Sequence, residues 1–502
     1  MPSADSSVAA AIPRRWEVYR LVFAACAGLY ALFGLSLSNA PFQDLPNHLA
    51  RGHIIADLLF NNGSLFADKF ALDLHITPYL IADLILAALD RLVGIEWTAR
   101  IWIATAVTAL PWSVWFLLGV QGCSHRARLT GSLMAFYLAT NWFFVSGFLN
   151  YQISLACDVF AYGWFLRAQA SGSAKAYVFY VLILTAGYAM HLSSLAFLAA
   201  AVGASLGLAV LSGRQSIGRA IVLWLPALVL LALHFGLASP HSTVTFATDW
   251  GTPVSKIKRL LSPVVRFDAR WEIPLFGAFL VAALGPLFAG GLRQTLRSNS
   301  EPLLLALVFL AIYLVLPIAY GGVVDVDNRA LPLLYLFLLF AGIRASDTPE
   351  SQPRWLPPLA AAVVGLNLLY LGIEVFPQNE AMAEYKLIAR QVPPSARVLP
   401  IDTLPPVGRY EALTHAGSFV TEQTGALTPY LFSAPLTPNI GYFRYLHPLP
   451  APFIFWYTHN EDEGKWAQIQ QDYDYLLVTN PYEAGRIPLA VGSRAAMASR
   501  HF

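Results

Sequence analysis

Charge is the scarcest commodity in this chain. Only 12% of its 502 residues are Asp, Glu, Lys or Arg, about half the share of a soluble globular protein. The 32 basic and 30 acidic residues leave a net charge of +2, which excludes a basic nucleic-acid-binding surface. Cysteine is nearly absent too. Cys26, Cys123 and Cys157 lie in or beside apolar runs, so neither a disulfide framework nor a cysteine metal site follows. Catalytic signatures are also missing: there is no GxxxxGK[ST] phosphate loop, no HExxH zinc pair and no GxSxG nucleophile elbow. No internal repeat or low-complexity tract is present.

What is abundant is apolar surface. Hydrophobic residues make up 57% of the chain, and mean hydropathy is +0.54. Many apolar runs approach the ~20 residues that cross a bilayer as a helix. The expectation is an α-helical polytopic membrane protein. The first span is about Val18 to Ser38, and Arg14, Arg15 and Arg20 before it place the N-terminus in the cytoplasm. Further spans are expected at 98–118, 129–148, 150–168, 174–190, 192–211, 218–238, 273–290, 303–320, 329–344 and 355–374, giving about 11 in all. Short loops with Arg126, Arg128, Arg167, Lys175, Arg214, Arg219, Arg293, Arg297, Arg344 and Arg354 then share the cytoplasmic side.

The segment TPYLIADLILAALDRLV, 77–93, is read differently. Asp83 and Asp90 fall seven apart, on one helical face, which suits a helix lying in the interface plane rather than crossing. The segment KIKRLLSPVVRF, 256–267, reads as a basic amphipathic helix on lipid headgroups or a flap over a substrate. The chain divides into a transmembrane region 1–376, with a first external loop 39–97 and an external flap 239–272, and a polar region 377–502. In the latter, RVLPI (397–401) and YDYLLVT (473–479) read as strands, and 380–391 and 461–471 as helices. This suggests a small external α/β domain.

The candidate chemistry collects on the outer face. PFQDLPNHLAR, 41–51, follows the first span and brings together Asp44, His48 and Arg51. A carboxylate at a low-dielectric boundary can have a raised pKa and serve as a general base; Asp44 also suits a helix N-cap before Leu45-Pro46. His48 and Arg51 are candidates to hold an anionic group, with Lys69 and His75 as further ligands. His191 marks the bend of a long uncharged stretch. Arg329, after Asp325 and Asp327 in GGVVDVDNR, is a second phosphate contact. The DVDN spacing offers only a weak metal site, and no cofactor is firmly implied. Asp158 is an intramembrane carboxylate, a functional candidate or a partner for Arg167.

The pattern of a first span, an Asp early in the first external loop, the junction His75-Ile76-Thr77-Pro78, a helix ending at Leu92-Val93-Gly94 and Arg100 before the next span resembles the GT-C superfamily of membrane glycosyltransferases, which includes protein O-mannosyltransferases and the lipid A aminoarabinose transferase. GFLNYQ (147–152) and YAMHLSS (188–194) are similar to a bacterial branch without an assigned substrate. The resemblance implies a multi-helical fold and a polyprenyl-phosphate-linked sugar donor. It also implies a periplasmic acceptor, an acidic catalytic residue at Asp44 and a donor phosphate near His75. Many members carry two adjacent acidic residues where this chain has Asp44-Leu45. The expected function is transfer of a hexosyl or pentosyl group in a bacterial inner membrane, with the C-terminal domain periplasmic. A lipid-linked glycan flippase, or a non-catalytic polysaccharide assembly partner, are the alternatives.

Overall fold

A computed structural model describes residues 6–61, 63–237, 248–289, 299–321, 323–347, 353–401, 410, 413–433, 442–450, 469–478 and 497–498. Part of the flap (238–247), most of the helix expected at 461–471, and Arg293 and Arg297 lie outside the described residues. The protein is mostly helical, and seven described helices are long and apolar enough to cross a membrane.

Those seven include α1 (Ser6–Ser36, apolar from Glu17) and α4 (Ile95–Val120). Before α4 come α2 (Leu45–Phe60) and α3 (Leu80–Val93), which pack as a hairpin. Next are α5 (His125–Ala139), the short α6 (Trp142–Val145) and α7 (Leu149–Ser171). The span expected at 129–148 thus breaks at Thr140. There the Asn141 side chain accepts the Phe143 and Phe144 N–H groups and starts a new turn, as a good N-cap does. Gly147, at φ +84°, then reverses the chain. α8 (Ala174–Met190) and α9 (Leu192–Leu211) flank His191. They are followed by α10 (Ile217–Leu237), α11 (Pro253–Arg259), α12 (Ala269–Ala289), α13 (Ser300–Val315), α14 (Leu331–Ala345) and α15 (Leu356–Ala389). α15 runs without a break through Pro377, joining the expected span 355–374 to the helix expected at 380–391.

α3 has 14 residues, about 21 Å at 1.5 Å per residue, short of the ~30 Å apolar thickness. Its acidic stripe faces α2. Arg51 holds Asp83 in a fork, Nε–Oδ2 2.5 Å and Nη2–Oδ1 2.8 Å, with both side chains fully buried. His53 Nδ1 meets Asp90 Oδ2 at 2.7 Å. Gly52 allows the close approach, since a Cβ there would sit 2.8 Å from Leu86 Cβ. The basic segment 256–267 is likewise paired within the protein. Lys256 Nζ meets Asp327 at 2.8 Å, Arg259 meets Asp325 at 2.5 Å and Asp327 at 3.3 Å, and Arg266 meets Glu272 at 2.7 Å. Burial in a low dielectric makes each of these cations depend on its carboxylate.

Between α13 and α14 the chain makes a short hairpin, β2 (Ala319–Tyr320) and β3 (Val323–Val324), and after α15 it forms β4 (Val398–Ile401), α16 (Phe419–Thr424), β5 (Phe443–Tyr445), β6 (Tyr475–Val478) and β7 (Met497–Ala498). β4, β6 and β7 make a parallel sheet in that order, with Val398 opposite Tyr475. β5 leaves that sheet. It pairs antiparallel with β1 (Phe70–Leu72) of the first loop, Phe70 opposite Tyr445, and Phe70 stacks on both Phe443 and Tyr445. The polar C-terminal region is therefore stitched onto the loop that carries Asp44.

The Arg51–Asp83 pair gives a direct test. Arg51→Ala strands a buried carboxylate, which costs about 3–5 kcal/mol. The thermal midpoint of the purified protein should fall by many degrees, while the double variant Arg51→Met/Asp83→Leu should recover much of that loss. A single variant as stable as the wild type would contradict the pairing.

Candidate functional site

The site forms where α1 ends and α2 begins. Asp44 occupies the N-cap position of α2, but its side chain makes no capping bond; Pro46, in the first turn, needs no N–H partner there. The Asp44 N–H instead donates to the Ser146 carbonyl at 3.0 Å. A Cβ on Gly147 would lie 2.7 Å from the Asp44 and Leu45 nitrogens, so glycine is required for this backbone approach. The carboxylate is thus buried, 6% exposed, without being spent on the helix end. Burial pushes its pKa up to about 7, with Arg329 near enough to pull the other way.

One group touching Asp44 comes from the far end of the chain. His415 Nε2 lies 3.4 Å from Asp44 Oδ1, and Phe432 packs edge-on against both His415 and His48. The segment 413–433 is held there by α2. Asn47 donates to the Tyr430 carbonyl and accepts the Phe432 N–H, both at 2.7 Å. Arg51 reaches the Phe432 carbonyl at 3.3 Å. Tyr442 donates its hydroxyl to Asp83.

His48 is buried, and burial together with Arg51 and His415 lowers its pKa well below the ordinary value, so it is neutral. Arg51 Nη2 lies 3.0 Å from His48 Nδ1; since arginine only donates, Nδ1 accepts and Nε2 carries the proton. Burial alone holds His415 down, at about 4. Neither histidine brings charge at neutral pH.

Arg329 does. It is 8% exposed, in the 3-10 turn Asn328–Ala330 that leads into α14, and no carboxylate lies within 4 Å of it among the described residues. Its guanidinium rests over the Phe148 ring, 5.4 Å from the centroid. Its Nη1 is 3.4 Å from His191 Nε2 and its Nη2 is 3.5 Å from the Val324 carbonyl, both at the limit for a hydrogen bond. The first contact is weaker still. His191 Nδ1 accepts the Ser193 N–H, so in neutral His191 Nε2 carries the hydrogen and faces the guanidinium as a second donor. Arg329 Nε has no partner at all among the described residues. The Tyr79 hydroxyl also faces this guanidinium, and an anion is the ligand that would match its charge.

Tyr79 completes the wall. Its hydroxyl is 3.3 Å from His191 Nε2, and its backbone sits at φ +73°, a left-handed conformation that costs a bulky residue about 1–3 kcal/mol and concentrates at functional sites. Tyr151 packs on the other side of His191 and donates to the Arg329 carbonyl at 2.7 Å.

Asp44, His48, His191 and Arg329 of the expected set are therefore gathered. Arg51 adjoins them, its fork already filled by Asp83. Lys69 and His75 make no described contact with the group. Lys69 Nζ binds the Leu65 carbonyl and Ser395 Oγ, and exposed His75 turns back to the Asp73 carbonyl. Asp325 and Asp327 are occupied by Arg259 and Lys256, and no metal-binding cluster exists among the described residues. Asp158 accepts from Ser194, while Arg167 lies on Phe116 and Trp164. Sequence reading missed His415, Phe432, Tyr79 and Gly147. The only traces were the position of Gly147 in GFLNYQ and a histidine among small residues in THAGS.

The raised Asp44 pKa predicts a pH-dependent stability. Neutral Asp44 contributes stability that is fully present below its ordinary value of 3.8 and is lost as pH climbs through about 7. Asp44→Asn stays neutral throughout. Its unfolding free energy should exceed that of the wild type at pH 8 by a few kcal/mol at most, seen as a higher thermal midpoint, and the gap should close towards pH 4. A gap independent of pH would show that Asp44 is not buried as a carboxyl.

A scan of protein-family models finds no match to the chain, and a search of curated proteins finds none either.

Proposed function

We propose that the protein is a glycosyltransferase of a bacterial inner membrane, moving a sugar from a polyprenyl-phosphate donor to a periplasmic acceptor. The observation that carries this reading is Arg329, a buried guanidinium without a carboxylate partner, close to a buried carboxyl free of any capping role. An anion holder beside a base poised near neutral pH is the pair that transfer from a phosphate leaving group requires.

In the proposed reaction an acceptor hydroxyl gives its proton to the Asp44 carboxylate as its oxygen attacks the anomeric carbon from the face opposite the phosphate. The carbon–oxygen bond to phosphate breaks, and its electron pair stays on the polyprenyl phosphate. Arg329 bears the charge gained there. His48, with its proton on Nε2, and Tyr79 supply neutral donors to sugar hydroxyls. His415 and Phe432 keep water from Asp44.

The topology that goes with this reading has about 11 spans, a cytoplasmic N-terminus and residues 377–502 outside. Two observations support it. The site residues come from the end of α1, the start of α7, the α8–α9 turn and the start of α14, which are neighbouring ends of these helices. Arg128, Arg167 and Arg219 sit at the opposite ends of their helices, where the positive-inside rule places the cytoplasm.

Purified protein mixed with a polyprenyl-phosphate sugar and an acceptor should release polyprenyl phosphate, with a rate that rises with pH through about 7. Asp44→Asn should lower kcat by roughly 10²–10⁴-fold, the range for a lost general base. Arg329→Gln should weaken donor use. A folded Asp44→Asn protein with full turnover would overturn the assignment, and lipid movement without any sugar transfer would favour a flippase.

A further inference from the structure

The geometry points to a second ligand site, for one anionic phospholipid, at the end of the helices away from Asp44. α4, α5 and α7 enclose a groove of about 570 Å³ there, lined by Trp112, Trp115, Phe116, Phe160, Arg128 and Arg167 among others. Its floor runs along α4 from Ala109 to Val120, about 16 Å at 1.5 Å per residue. That is roughly half the apolar thickness of a bilayer, the depth of one leaflet.

Both guanidiniums stand at the groove's end, beside the C-terminus of α4 and the start of α5. Arg128 lies over the Trp115 ring, 4.5 Å from its centroid, and spends Nε on the Trp115 carbonyl. Gly119 gives it room, since a Cβ there would meet its Cζ at 2.9 Å. Arg167 lies over Phe116 and Trp164. Neither has a carboxylate within 4 Å among the described residues. Arg20 of α1 is also near enough to repel Arg128.

Among the described residues the buried cations beyond the Asp44 site are matched by acids; Arg128 is half-buried and Arg167 exposed. The two line one groove, each held on an aromatic face with no carboxylate within 4 Å among the described residues. A phosphate at that end of the groove satisfies the charge, and an acyl chain covers the exposed indole of Trp112 and the apolar groove below. The phosphate selects an anionic headgroup; the depth of the groove selects a lipid over a soluble ion.

The site is read independently of the proposed reaction and is tested without it. Detergent-purified full-length protein is titrated with phosphatidylglycerol or with phosphatidylcholine of the same acyl chains. Retained lipid is counted by native mass spectrometry, and thermal midpoints are recorded in parallel. One phosphatidylglycerol should be retained and should raise the midpoint; phosphatidylcholine should do neither. Arg128→Gln/Arg167→Gln should weaken phosphatidylglycerol binding roughly thirtyfold, two basic groups each contributing a factor of about five. Arg167→Gln alone, on an exposed side chain, should weaken it about fivefold and guards against misfolding of the double variant. Equal retention of both lipids, unchanged binding in the folded variants, or displacement by millimolar inorganic phosphate would each overturn the assignment.

Discussion

The structure depends on one buried ion pair. Arg51 and Asp83 are both fully buried, and neither is tolerable in a low dielectric alone. Their fork sets the rotation of α2 against α3, and rotation is what matters for the site. Asp44 starts α2, and His48 stands one turn further on. The same two side chains also recruit the distant chain: Asp83 takes the Tyr442 hydroxyl, and Arg51 takes the Phe432 carbonyl and His48 Nδ1. A pair of this kind adds little net stability compared with well-packed apolar residues. Here it specifies an arrangement: which face of α2 points inward, where residues 413–433 sit, and which tautomer His48 adopts.

Arg329 stands out against that background. The other buried lysines and arginines among the described residues all have a carboxylate: Arg51 with Asp83, Lys256 with Asp327, Arg266 with Glu272 and Lys386 with Glu422. Asp44 feels the Arg329 charge, and burial keeps that carboxyl partly protonated near neutral pH. The two groups therefore do not cancel as Arg51 and Asp83 do. An incomplete neutralisation of this sort is unfavourable for folding and useful for binding, because an incoming anion supplies what the fold withholds.

The helices were legible because their sequence signals are local. Ala174–Met190 and Leu192–Leu211 form within the expected bounds, started by the Ser173 and His191 side chains that accept the Ala176 and Ser193 N–H groups. His191 was readable as a bend for the same reason. Polar stripes were not legible in the same way. The spacing of Asp83 and Asp90 states that one face needs polar company, without saying whether water, headgroups or another helix provides it. Here α2 provides it. Lys256 and Arg259 likewise find Asp327 and Asp325 about 70 residues later in the chain, where α11 packs against the turn before α14. His415 was invisible, because nothing local in THAGS marks a contact with a residue at the other end of the chain.

That contact ties the C-terminal region to the environment of Asp44. The pKa of Asp44 owes its value to the absence of water, and His415 and Phe432 are among the groups that exclude it. Stripped of 413–433, Asp44 would be rehydrated and return towards the ordinary carboxylate range, below what the proposed base role requires. The segment is fastened to α2 by Asn47, which holds the Tyr430 carbonyl and the Phe432 N–H, and farther along the chain β5 pairs with β1. For the proposed reaction this fastening matters, because the base it assigns to Asp44 works only where the wall beside it stays dry.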